Sequence, residues 1–151
     1  MNIKFLSAAL LLACGALHAQ DIQVSNAWVR STVQGQKGSG AFMKLTSKNG
    51  AKLVGVSTPV AGVAEVHEMK MEGDVMKMRA VPSLDLPAGK TVELSPGGYH
   101  VMLMELKTAL PKDSTVPMTL MFKDAKGVSS TLEIKVPVST VAPAGEAQHK
   151  H

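Results

Sequence analysis

Residues 20–138 of this 151-residue chain predict a single all-β domain, an antiparallel sandwich or barrel. Three observations carry that expectation. Short runs of alternating apolar and polar residues recur along the chain. Glycine, proline, asparagine or aspartate interrupts each run where a strand should end, and no stretch beyond the first residues holds a helical period.

Taken in order, the first run is 22–30, which carries the only tryptophan, Trp28, expected to anchor the core. The segment TVQGQKGSG at 32–40 is a glycine-rich polar loop. It lacks the spacing of a phosphate-cradling motif and precedes a strand, so no nucleotide role attaches to it. Strands follow at 40–47, ended by Asn49-Gly50, and at 52–58, ended by Pro59. Two more, 64–71 and 75–81, flank Gly73-Asp74. The turns around Pro87 and Pro96 bound 90–95 and 99–106. A turn of helix has room between Leu106 and Pro111, and the last strands are 116–123 and 129–138. Met43, Met118 and Met121, each alone among apolar neighbours, are expected to fill core gaps.

The termini differ in composition. Residues 1–19 have the pattern of a secretory signal: Lys4, an apolar run over 5–12, then Ala16-Leu17-His18-Ala19. A competing reading takes Leu11-Leu12-Ala13-Cys14-Gly15 as a lipobox, with Cys14 lipidated. Cleavage after Ala19 would remove the only cysteine, leaving neither disulfide nor thiol, and lower the basic residues from 16 to 15 against 12 acidic ones. That slight, scattered excess and the scarcity of aromatic residues argue against a nucleic-acid partner. No later run is long enough to be a membrane helix. The segment 139–151, STVAPAGEAQHKH, is expected to be a disordered tail.

The chemistry concentrates between His67 and Met104. A two-residue turn at Gly73-Asp74 sets Met71 opposite Met76, Met69 opposite Met78 and His67 opposite Ala80. Because side chains alternate, His67, Met69, Met71, Met76 and Met78 then share one face, and Glu68, Lys70, Glu72, Lys77 and Arg79 share the other. In YHVMLM, His100, Met102 and Met104 share one face, opposite the core-facing Val101 and Leu103. Two imidazoles in register with thioethers, without a thiol, form a ligand set suited to Cu(I).

The spacing His67, ten residues, Met78, twenty-one residues, His100, one residue, Met102 matches the H-x10-M-x21-H-x-M signature of the periplasmic copper chaperones called PCuAC. The resemblance extends through AWVR, GAFM, HEMKMEGDVMKMR, LPAGKTVEL, PGGYHVMLM and VPMTL. It implies a cupredoxin-like Greek-key β-sandwich holding one Cu(I) on His67, Met78, His100 and Met102. It also implies delivery to the copper centre of cytochrome c oxidase subunit II, alongside a thiol-bearing copper chaperone. A periplasmic copper-buffering or tolerance protein with no dedicated acceptor shares every ligand and stays open. An enzyme is disfavoured, because no base, nucleophile or open histidine-rich set is visible. Acidification should weaken binding, since an imidazole must be neutral to ligate. Met69, Met71, Met76 and Met104 either cover the metal or add thioethers to it, Met69 being the leading extra participant. In the tail, His149 and His151 are candidates for a separate Cu(II) chelate.

Overall fold

The computed structural model describes residues 22–143. The expected signal at 1–19, Cys14, and the tail residues His149 and His151 lie outside the described residues. Among the described residues ten strands form: β1 (Ile22–Arg30), β2 (Gly38–Ser47), β3 (Ala51–Ser57), β4 (Ala61–Glu72), β5 (Val75–Ala80), β6 (Leu84–Leu86), β7 (Thr91–Leu94), β8 (His100–Leu106), β9 (Thr115–Asp124) and β10 (Ser129–Ser139). All nine expected strands are present. The addition is β6, whose three residues are too few for an alternation to be visible, although both leucines are buried.

The strands are hydrogen-bonded in the order β5-β4-β8-β2-β1-β10-β9-β3-β6, and β7 pairs with β2. Pairing is antiparallel apart from Val29 and Arg30 of β1, which run parallel to Val138 and Ser139 of β10. The rest of β10 pairs with β9, so this strand passes from one sheet to the other. Val29, Ala41, Met43, Leu45, Val101 and Leu103 face Leu53, Met118, Leu120, Phe122 and Val136 across the core. Each such buried side chain contributes about 1.5–3 kcal/mol relative to exposure.

Three local expectations are revised. Trp28 is buried but stands outside the contiguous core, packed on Phe42 with ring centroids 4.7 Å apart and the planes tilted by 37°. The cause is a bulge: the register of β1 against β2 shifts between Ser25 and Trp28, with Asn26 at a φ of 52°. The extra residue resets the alternation, so that Val29 takes the core side and Trp28 the opposite one. Between Leu106 and Pro111 no helical turn forms. The Leu110 N–H donates to Thr32 Oγ1 (2.8 Å) and its carbonyl accepts from Thr32 N–H (2.9 Å), bonds that a helix would have needed internally. Met43 and Met118 are core residues as expected. Met121 is half-buried, and its thioether methyl closes over Gly55 at the bulge of β3.

Candidate metal centre

Three neighbouring strands, β5, β4 and β8, carry the candidate ligands on one face. The Gly73-Asp74 turn sets the first register. Gly73 has a φ of 62° and Asp74 is not in the left-handed region, which is the pattern of a type II′ turn with glycine first. The ladder then runs Glu72 opposite Val75, Met71 opposite Met76, Met69 opposite Met78 and His67 opposite Ala80, as the sequence predicted. On the reverse face, Arg79 Nε donates to Glu68 and Lys77 lies 2.9 Å from the Glu72 carboxylate, so both carboxylates there are paired.

The second register is set by β8. The turn before it is closed by Gly98 N–H donating to Ser95 O at 3.0 Å, and His100 is the first residue of the strand. Val101 and Leu103 are fully buried and fix the inward face. His100, Met102 and Met104 therefore point to the other side. There His67 stands directly opposite His100, Glu65 opposite Met102 and Val63 opposite Met104.

The two imidazoles are buried, 8% exposed at His67 and 7% at His100, with ring centroids 5.9 Å apart at 48°. Their hydrogen bonds fix their tautomers. His100 Nδ1 lies 3.1 Å from Gly98 O, which can only accept, so the proton sits on Nδ1 and the Nε2 lone pair is free. That Nε2 is 3.3 Å from Met78 Sδ, another lone-pair donor. His67 has the opposite arrangement. Its Nε2 donates to Glu65 Oε2 at 3.0 Å, and its Nδ1 is buried with no hydrogen-bond partner. An unpartnered buried nitrogen is costly to leave unsatisfied, and a bound cation would satisfy it.

A pocket of about 390 Å³ opens over the cluster, walled in part by Arg30, Phe42, Met69, Met78, His100 and Met102. His67 is not in that wall, and its ring lies beside His100. The fold thus gathers Met69, Met78, His100 and Met102 in one wall, with His67 beside His100. Met104, two residues farther along β8 and opposite Gly38, stands outside the wall. Among the described residues no group of three His, Cys, Asp or Glu side chains gathers to hold a metal. The donors gathered here are imidazole nitrogens and thioether sulfurs, borderline and soft, which suit a soft ion better than a hard one.

Several residues around the cluster were not singled out by sequence. Glu65, which orients His67, lies two residues before it on the same strand face, so alternation alone could have found it. Phe42 stands over Gly40, and a Cβ at Gly40 would come within 2.9 Å of the ring. Phe42 also neighbours His100 at 6.4 Å and carries the Arg30 guanidinium at 5.4 Å from its centroid. Gly38 and Gly40, expected in the glycine-rich loop but found at the start of β2, line the pocket, and Met102 Cε lies against Gly38.

The model of the LpqE-like family, "Putative lipoprotein LpqE-like", matches residues 22–138. This chain is a member of the LpqE-like (PCuAC) family. Within it, the chain is 34% identical over 129 residues to "Putative lipoprotein Lxx21020" of Leifsonia xyli, covering 85% of this chain and 75% of that one. Among solved structures, apo-DR1885 of Deinococcus radiodurans is 32% identical with a TM-score of 0.61, covering 93% of this chain and 95% of that one. The Cu(I) form of DR1885 is 30% identical with a TM-score of 0.56, covering 85% and 83%. The apo PCuAC domain of PmoF1 has a TM-score of 0.63 over 82% of this chain and 95% of its own, and at 24% identity it bears on the fold alone. The LpqE-like chain is thus an all-β, cupredoxin-like PCuAC domain.

Proposed function

We propose that this PCuAC domain is a periplasmic copper chaperone that carries one Cu(I) on His67, Met78, His100 and Met102. The single observation that carries this reading is the convergence of two lone pairs: His100 Nε2, freed by the Gly98 bond, 3.3 Å from Met78 Sδ. The His67 ring, whose buried Nδ1 has no partner, has its centroid 5.9 Å from that of His100. Two neutral imidazoles and two thioethers bind Cu(I) without a thiolate, so the site favours holding the ion over cycling its charge. That DR1885 has been solved with Cu(I) supports copper as the cargo. Release follows from exposure: Met78 is about half exposed, so an incoming acceptor ligand can replace its sulfur first while the buried imidazoles still hold the ion.

The destination we propose is the copper centre of cytochrome c oxidase subunit II, with a thiol-bearing chaperone alongside, after export directed by residues 1–19. The tail pair His149 and His151 is proposed as a separate Cu(II) chelate. No step here calls for catalysis by the protein. The deciding experiment is anaerobic Cu(I) titration of the full chain and of the variant with all four ligands replaced by alanine, followed by transfer from the loaded protein to an apo subunit II fragment. One tightly bound equivalent, lost in the variant and passed to the fragment, is the expected result. Unchanged affinity in the variant overturns the ligand set. Tight binding without transfer leaves copper buffering as the function.

A further inference from the structure

Beyond His67, the β4–β5 hairpin has no core beneath it: from Met71 to the end of β5 every residue is exposed. Yet one face of this arm carries Met69, Met71, Met76 and Met78. Methionine ordinarily prefers burial, so three side chains each about half exposed on one arm call for a reason. Their pairing is specific. Met71 stands opposite Met76 and Met69 opposite Met78. In a ladder closed by a two-residue turn the pair at the turn is hydrogen-bonded, so both methionine pairs fall at non-hydrogen-bonded positions. There opposing Cα atoms approach to about 4.5 Å and the side chains are closest. Unbranched thioethers with three rotatable bonds can then bring their sulfurs to one point. The acidic groups of the arm do not compete, because Glu68 and Glu72 lie on the reverse face, paired with Arg79 and Lys77.

We propose that Met69, Met71 and Met76 form a second, thioether-only station for a soft monovalent ion at the tip of the hairpin, from which Met78 passes the ion inward. Met78 belongs to both groups: it faces Met69 across the hairpin and His100 Nε2 across β4. Transfer is then an exchange of ligands without change of charge on the metal: a sulfur of Met71 or Met76 leaves as Met78, then His100 and Met102, bind. The station takes its ion, Cu(I), from the function proposed above, but its own existence is tested apart from it.

The test uses Ag(I), a soft monovalent ion that stays in one redox state, and methyl NMR of the methionine Cε groups in the full chain. In His67→Ala/His100→Ala protein, one equivalent of Ag(I) should still bind and shift the Met71 and Met76 methyl signals together. Adding Met71→Leu/Met76→Leu, near-isosteric changes at exposed positions, should abolish that binding. Unmoved Met71 and Met76 signals at stoichiometric Ag(I), or binding that survives the leucine pair, overturns the station while the His–Met centre stands. Conversely, if His67→Ala/His100→Ala protein binds its first Cu(I) as tightly as the unsubstituted chain while both methyl signals shift, the station is supported and the His–Met centre falls.

Discussion

His100 Nε2 lies 3.3 Å from Met78 Sδ although their strands do not pair, because β4 runs between β8 and β5. The thioether reaches diagonally across the middle strand, past His67, to meet an imidazole rooted in the sheet. The proposed ligand set therefore combines a side on β8, backed by the core, with a side on an exposed arm.

Replacing Met78 by leucine keeps the volume and removes the sulfur. Cu(I) affinity should fall about tenfold or more, equivalent to at least about 1.4 kcal/mol, with the fold intact. Competition against a chromophoric Cu(I) chelator measures it, and an unaltered dissociation constant would exclude Met78 from the site.

Glu65 holds the proton on His67 Nε2 and so leaves Nδ1 free. Glu65→Ala should weaken Cu(I) binding by about 10–100-fold, the usual effect of losing the partner of a ligating histidine. Glu65→Gln keeps an oxygen acceptor and should recover most of the loss. Equal defects in the two variants would point to some other role for the carboxylate.

Gly40→Ala places a methyl 2.9 Å from the Phe42 ring, which is confined between Trp28 and Arg30. The ring must shift, at a cost of about 1–3 kcal/mol. Urea unfolding reads the loss, and the emission of Trp28, packed on the same ring, should change in the folded state.

Leu103 is fully buried on the core face of the strand that carries His100 and Met102. Truncation to alanine should cost about 2–5 kcal/mol. Excess Cu(I) should raise the stability of Leu103→Ala by the same increment as that of the unsubstituted chain, because the substitution leaves the proposed ligands in place. A smaller increment would mean that the core change reaches the ligands.

The hairpin was legible because a two-residue turn leaves no freedom: once Gly73-Asp74 is placed, every cross-strand pair and both faces follow. The core face of β8 was legible for a similar reason, Val101 and Leu103 alternating with the His–Met face. Trp28 was misplaced because a bulge two residues earlier resets the alternation, and nothing in Ser25-Asn26-Ala27 announces it. The short β6 was hidden by its length. Phe42 escaped notice since its meaning depends on β2 lying beside β8, a pairing between residues some sixty positions apart. Glu65 was legible in principle, since it lies two residues before His67 on the same face of β4.

The half exposure of Met78 carries a liability as well as a use. A thioether open to solvent is open to peroxide, and sulfoxidation turns a soft sulfur donor into a polar, oxygen-bearing group. Such damage would strike the exposed side of the proposed site and leave its buried imidazoles intact, so the protein would stay folded while losing its grip on copper. Because methionine sulfoxide is enzymatically reducible, that loss is one the cell can reverse. Carrying capacity would then track the oxidant load of the compartment in which the protein works.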